Sequence, residues 1–220
     1  MIKKFIASTL LISSLQAITF EDAKKIEDEH GVLKALSIYK TLAEQNDVNS
    51  LFHLAMIYSR NSPFKRNLTK THEFLKKASD LNYDKATYYL GKLYLSKKSA
   101  YYDLTKAYNT FLQAANKNYA AAQNMIGQFL LTGSVVEKDY KMAVSYFERA
   151  SKQNNIDAQC NLSYMYASGK GVFPNFGRAN QFAKEGMKLG NKKCKQVWKE
   201  YNLGKYSEDK AWKFNFYTKP

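Results

Sequence analysis

Ala158-Gln-Cys-Asn-Leu162-Ser-Tyr-Met-Tyr166-Ala-Ser-Gly169-Lys-Gly171-Val172 decides the architecture, because its apolar and small residues return through the chain every 36 positions. Ser50, Ala86, Ala122, Ala158 and Cys194 form the first series. Leu54/Ala55, Leu90/Gly91, Ile126/Gly127 and Leu162/Ser163 form the second, and Trp198/Lys199 keeps only the large apolar member. Tyr58, Tyr94, Leu130 and Tyr166 form the third. Steps of three and four place these residues on one face of a helix. The small residue beside the Leu admits a neighbouring helix at close range. This is helix A of each unit.

Working outward, Asn67, Asp103, Asp139 and Asn175 precede a second helical run. Their side-chain oxygens suit the unpaired N–H groups of a helix start. Ala35, Thr71, Ala107, Ala143 and Ala179 follow, then Tyr39, Leu75, Phe111, Phe147 and Ala183, then Leu42, Ala78, Ala114, Ala150 and Gly186. The run closes at Asn46, Asn82, Asn118, Asn154 and Gly190, residue types that tolerate the left-handed turn after a helix. This is helix B. Each A–B hairpin exposes an apolar stripe that only the next hairpin can bury.

These residues resemble the Sel1-like repeat. The stretch from Ala158 is similar to its first helix and Gly-x-Gly-Val loop, and Asp139-Tyr-Lys-Met-Ala143-Val-Ser-Tyr-Phe147-Glu-Arg-Ala150 is similar to its second helix. The likeness runs over about residues 31–205. Gly133, Gly169 and Gly171 keep the loop glycines, while Asn61 and Lys97 take the first-glycine slot in earlier units and predict less regular loops there. The resemblance implies an all-α fold: an α/α solenoid of stacked helix-turn-helix repeats in a right-handed superhelix, related to tetratricopeptide repeats. The organisation expected is a leader at 1–17, a solenoid at 18–205 and a basic, aromatic tail at 206–220. The units run 18–49, 50–85, 86–121, 122–157, 158–193 and a partial 194–205. The acidic segment at 20–30 stands in for the first helix A.

Composition agrees. Of 220 residues 45% are hydrophobic and only 3 are Pro and 10 Gly, which disfavours a turn-rich β fold. The first 17 residues read as a secretory signal peptide: Lys3 and Lys4, an apolar run at 5–15, and Ala17 as the small residue. Its apolar run is too short for a comfortable permanent span. The expectation is therefore a periplasmic or secreted protein with no stable transmembrane helix. Net charge is +15, and +13 once Lys3 and Lys4 leave with the signal. Such charge either solubilises helix faces or attracts acidic proteins, envelope polymers or anionic lipid. No recognition-helix or aromatic-platform motif accompanies it, so nucleic acid is not the expected partner.

Catalytic signals are absent. His30, His53 and His72 have no second ligand at metal spacing, so neither a metal nor a cofactor is expected. Gly169-Lys-Gly171 lacks a preceding strand and a third glycine, and reads as a repeat loop. Cys160 and Cys194, the two cysteines, fall near equivalent levels of successive A helices. They form either a disulfide in an exported protein or two small buried thiols.

By analogy with tetratricopeptide folds, the inner curve is lined two residues before and two after the Leu slot of each helix A. In this sequence those are Phe52 and Met56, Tyr88 and Lys92, Asn124 and Gln128, Cys160 and Tyr164. They vary while the stripe stays apolar, which suits a surface gripping a protein or peptide, against the alternative that they only pack between helices. The resemblance implies a non-enzymatic adaptor of the bacterial envelope or secretome, with an acidic partner favoured by charge. The alternative is a binder of peptidoglycan or another cell-wall polymer, akin to relatives linked to β-lactam recognition.

Overall fold

The computed structural model describes residues 18–209; the leader at 1–17 and the tail at 210–220 lie outside the described residues. Eleven α-helices and a short 3-10 turn follow one another, and no strand occurs among the described residues. Helix α1 (Phe20–His30) precedes five B helices: α2 (Val32–Glu44), α4 (Leu68–Asp80), α6 (Leu104–Asn116), α8 (Tyr140–Ser151) and α10 (Phe176–Lys188). Between and after them run the A helices: α3 (Val48–Tyr58), α5 (Asp84–Leu95), α7 (Ala120–Thr132), α9 (Ile156–Ser168) and α11 (Lys192–Glu200). Each helix packs on the next in sequence, and α9 also packs on α11. This is the α/α solenoid of stacked hairpins.

The local chemistry explains each boundary. Asn67, Asp103, Asp139 and Asn175 all accept a backbone N–H three residues on, at 2.8–2.9 Å. Asn46, Asn82, Asn118 and Asn154 all take positive φ of 62–66°, and Gly190 takes 75°. Helices α7 and α9 close on Gly133 and Gly169 in the left-handed region. With Asn61 and Lys97 in that slot instead, α3 and α5 stop earlier, at Tyr58 and Leu95.

The stripe residues form the core. Tyr39, Phe111, Phe147, Leu54, Ile126 and Leu162 are wholly buried, each worth roughly 1.5–3 kcal/mol of hydrophobic transfer. One apolar cluster runs from Ala23 to Leu90 and a second from Ala107 to Leu203, and Tyr94 packs against both.

Both ends of the described stack are covered. Thr19 and Asp22 form a capping box on α1, whose Phe20 lies against Tyr39 and His53. Glu27 of α1 accepts from the Tyr39 hydroxyl and meets His53 Nε2, each at 2.7 Å. Burial opposes ionisation of Glu27, but the Tyr39 bond and His53 outweigh it and hold the carboxyl below its usual range. At the other end Trp198 Nε1 donates to Asn180 Oδ1 at 2.9 Å, and Asn180 Nδ2 donates to the Tyr206 carbonyl. Tyr206 stacks on Phe176, and Asp209 pairs with Arg178 at 2.9 Å.

His72 should make the stability of the N-terminal units depend on pH. Its ring stacks on Tyr101 at 4.2 Å and its Nε2 lies 3.0 Å from the Tyr94 hydroxyl. Burial, with Lys76 and Lys106 adding, holds its pKa below the ordinary 6.5. The unfolded chain therefore binds this proton first, so the stabilisation is complete above 6.5 and is lost as pH falls through the folded value. Urea unfolding at about pH 8 and pH 5.5 should show a loss of stability that shrinks in His72→Phe. An equal loss in the variant would assign the response elsewhere.

Candidate functional site

The A helices form a row, and the residue two before each Leu slot joins one unit to the next. Phe52 packs its ring on Tyr83 and Tyr89 at 5.7 and 5.2 Å. Tyr88 packs on Phe111 and Tyr119 at 5.6 and 5.4 Å. Asn124 accepts from Asn161 Nδ2 at 2.7 Å, and both side chains are buried. Cys160 and Cys194 form a disulfide between α9 and α11. The register also explains Tyr83 and Tyr119. They occupy the N-cap position held by Asp47, Asn155 and Asn191, but make no side-chain cap and pack against the preceding unit instead.

The residues two after the Leu slot are more open. Lys92 is exposed, with its ammonium 5.8 and 5.2 Å from the Tyr88 and Tyr89 ring centres. Met56, Gln128 and Tyr164 are half-buried. Met56 leans on the N-terminal core. Tyr164 belongs to a concave site.

That site is a cavity of about 470 Å³ between α7, α9, α11 and the loop leading into α8. Tyr140, Tyr164, Lys138, Lys170, Lys193, Gln196 and one acid, Glu200, are among its lining residues. Lys170 donates to the Tyr164 hydroxyl and lies 5.7 Å from the Tyr140 ring centre. That hydrogen bond, outweighing a small burial cost, raises the Lys170 pKa. Lys193 has an exposed stem, but its ammonium is drawn in to donate to the buried Asn161. Burial of that end lowers its pKa, against the pull of Asp157. Burial likewise raises the Tyr201 pKa, with Tyr164 and Glu200 adding; its ring lies 6.3 Å from Tyr164. Three ammonium groups and two phenols around one concavity can hold a carboxylate and stack an aromatic or amide group.

Of the inner-curve candidates the structure brings Tyr164 to this cavity, and it places Phe52, Tyr88, Asn124 and Cys160 in the joints between units. Gln196 and Glu200 were not singled out from the sequence. They stand two before and two after Trp198, so carrying the same rule into the last A helix reaches them. Lys138, Lys170 and Lys193 come from loops and a helix start, where the 36-residue period carries no functional signal. Among the described residues no group of three or more His, Cys, Asp or Glu stands together to hold a metal. No described helix is long and apolar enough to cross a membrane.

The Sel1 repeat family matches residues 48–83, 120–155 and 156–191, each starting where an A helix starts. The comparison with curated proteins gives no match. Among solved structures, a protective antigen of uropathogenic Escherichia coli strains with an SLR fold superimposes at TM-score 0.75 and 24% identity. The alignment covers 85% of this chain but only 41% of that one. A Sel1 repeat protein from Oxalobacter formigenes gives TM-score 0.76 at 24% identity, covering 86% of this chain and 77% of that one. At this identity both likenesses speak to the fold. Three matched repeats, each coinciding with a helical hairpin of the stack, make the chain a Sel1-repeat protein.

Proposed function

We propose that this protein is an exported, non-enzymatic adaptor that binds an acidic segment of another protein along its row of A helices. Sel1-repeat proteins generally mediate protein–protein interaction. The observation that carries the acidic preference is the 470 Å³ cavity whose lining sets three lysines, Lys138, Lys170 and Lys193, beside Tyr140 and Tyr164 against a single acid, Glu200. Excess positive charge over the whole chain adds long-range attraction for such a partner. Export rests on the order of basic, apolar and small residues in the leader, and a Cys160–Cys194 bridge suits an oxidising compartment.

A Glu-rich peptide titrated calorimetrically tests the reading. Lys138→Glu combined with Lys170→Glu should weaken binding about tenfold or more, and wild-type affinity should fall with added salt. Unchanged affinity in the double variant would remove the cavity from the interaction. A muropeptide that binds where acidic peptides fail would replace the protein partner by a cell-wall ligand.

A further inference from the structure

A second cavity lies where α8 turns into α9, against α10. It measures about 530 Å³ and is lined by Asn154, Ile156, Gln159, Gln181, Glu185 and Leu189. Among the described residues no lysine or arginine lines it, unlike the cavity around Tyr164. Gln159 is 3% exposed, yet among the described residues its Oε1 meets no hydrogen-bond donor, and Gln181 Oε1 is likewise buried without one among them. A buried acceptor left unpaired costs about 1–3 kcal/mol, so two at one cavity call for an explanation.

The preceding junction supplies it. Thirty-six residues earlier, Gln123 holds the place of Gln159 and has every need met. Its Nε2 donates to Asn118 Oδ1 at 2.8 Å, and its Oε1 accepts from Gln153 at 2.9 Å. Arg149 reaches the Ala115 carbonyl beside it. At an earlier level Lys77 makes the matching bond to the Ala43 carbonyl at 3.0 Å. In the last unit the residue in register with Lys77 and Arg149 is Glu185, and the residue in register with Gln153 is Leu189. The donor groups have been replaced by an acid and an exposed aliphatic side chain, and the space stands open. Glu185 keeps a pair with Lys188 at 2.8 Å, on the exposed surface where such pairs are weak.

We propose that this cavity is a binding site for an arginine side chain of a partner peptide. The guanidinium takes the role that Arg149 and Gln153 play within the chain one unit earlier. Its five N–H donors match the two glutamine oxygens and the Glu185 carboxylate, and its methylene stem lies on Ile156 and Leu189. Rotation about the last side-chain bond aims each glutamine oxygen at the guest. The site is separate from the lysine-lined cavity and does not depend on the acidic-partner reading.

The test uses the whole chain and acetyl-arginine amide as probe, with neutral acetyl-citrulline amide as control, followed through the side-chain NH₂ signals of Gln159 and Gln181. Saturable shifts with arginine, and binding about tenfold weaker with citrulline, are expected. Leu189→Gln and Glu185→Arg put back the side chains of the earlier units and should fill the cavity from within, abolishing the shifts while leaving the melting temperature equal or higher. Absence of saturable shifts in the wild type at millimolar arginine, equal binding of citrulline, or undiminished binding in Glu185→Arg would each overturn the proposal.

Discussion

Cys194→Ala should lower the unfolding free energy by about 3–4 kcal/mol, the chain-entropy value for a bridge closing a loop of this length. The two cysteines are 34 residues apart and tie the last A helix to the unit before it. Ala is the residue at three of the four equivalent positions, Ala86, Ala122 and Ala158, so packing is nearly conserved and the loss reports the cross-link. Gly186 is coupled to it. A Cβ there would stand 2.0 Å from Cys194 Sγ and 3.1 Å from Cys160 Sγ. Earlier units have Ala78, Ala114 and Ala150 at this place, so the glycine makes room for the bridge. Gly186→Ala alone should therefore block pairing or displace α10. Combined with Cys194→Ala it recreates the Ala–Ala pairing of Ala150 and Ala158, and the double variant should lose clearly less than the sum of the singles. Urea unfolding of the four proteins measures this. Strict additivity would show that glycine and bridge are unrelated.

Phe147→Ala should cost about 3–5 kcal/mol, as large a loss as a single core truncation gives. The ring is wholly buried between α7 and α8. It lies so near Gly127 that a Cβ there would stand 2.5 Å from the ring edge. Gly127→Ala should therefore overpack the same contact and cost about 1–3 kcal/mol. Because the unit is central, either change weakens the interfaces on both sides, and unfolding should broaden as the stack loses cooperativity. Sharp two-state unfolding with a loss under about 1 kcal/mol in Phe147→Ala would mean that the hairpin is not held by this ring.

The sequence made the scaffold legible because its rules are local and repeated. Asn67 and Asp139 cap, Asn82 and Asn154 turn, and Phe111 and Phe147 fill the core for the same reason in each unit. The site was harder to read. Phe52, Tyr88, Asn124 and Cys160 vary from unit to unit, which is what a binding surface would do. They vary because each joint between units is solved with different chemistry: an edge-to-face ring contact, a tilted ring contact, an amide pair, and a disulfide. Variation along a repeat marks any position free of the common stripe, whether it faces a partner or a neighbour. Lys138, Lys170 and Lys193 converge only in three dimensions. Gln159 becomes informative only beside Gln123, whose satisfied bonds show what the last unit lacks.

Hydrogen-exchange mass spectrometry with and without a bound acidic peptide tests the central claim most directly. Slowed exchange in α9, α11 and the loop at 133–139, with α4, α6 and α8 unchanged beyond their first turns, is the result expected of a row of A helices that grips its partner at the Tyr164 cavity. Slowed exchange confined to the B helices, with α9 and α11 unaffected, would contradict it.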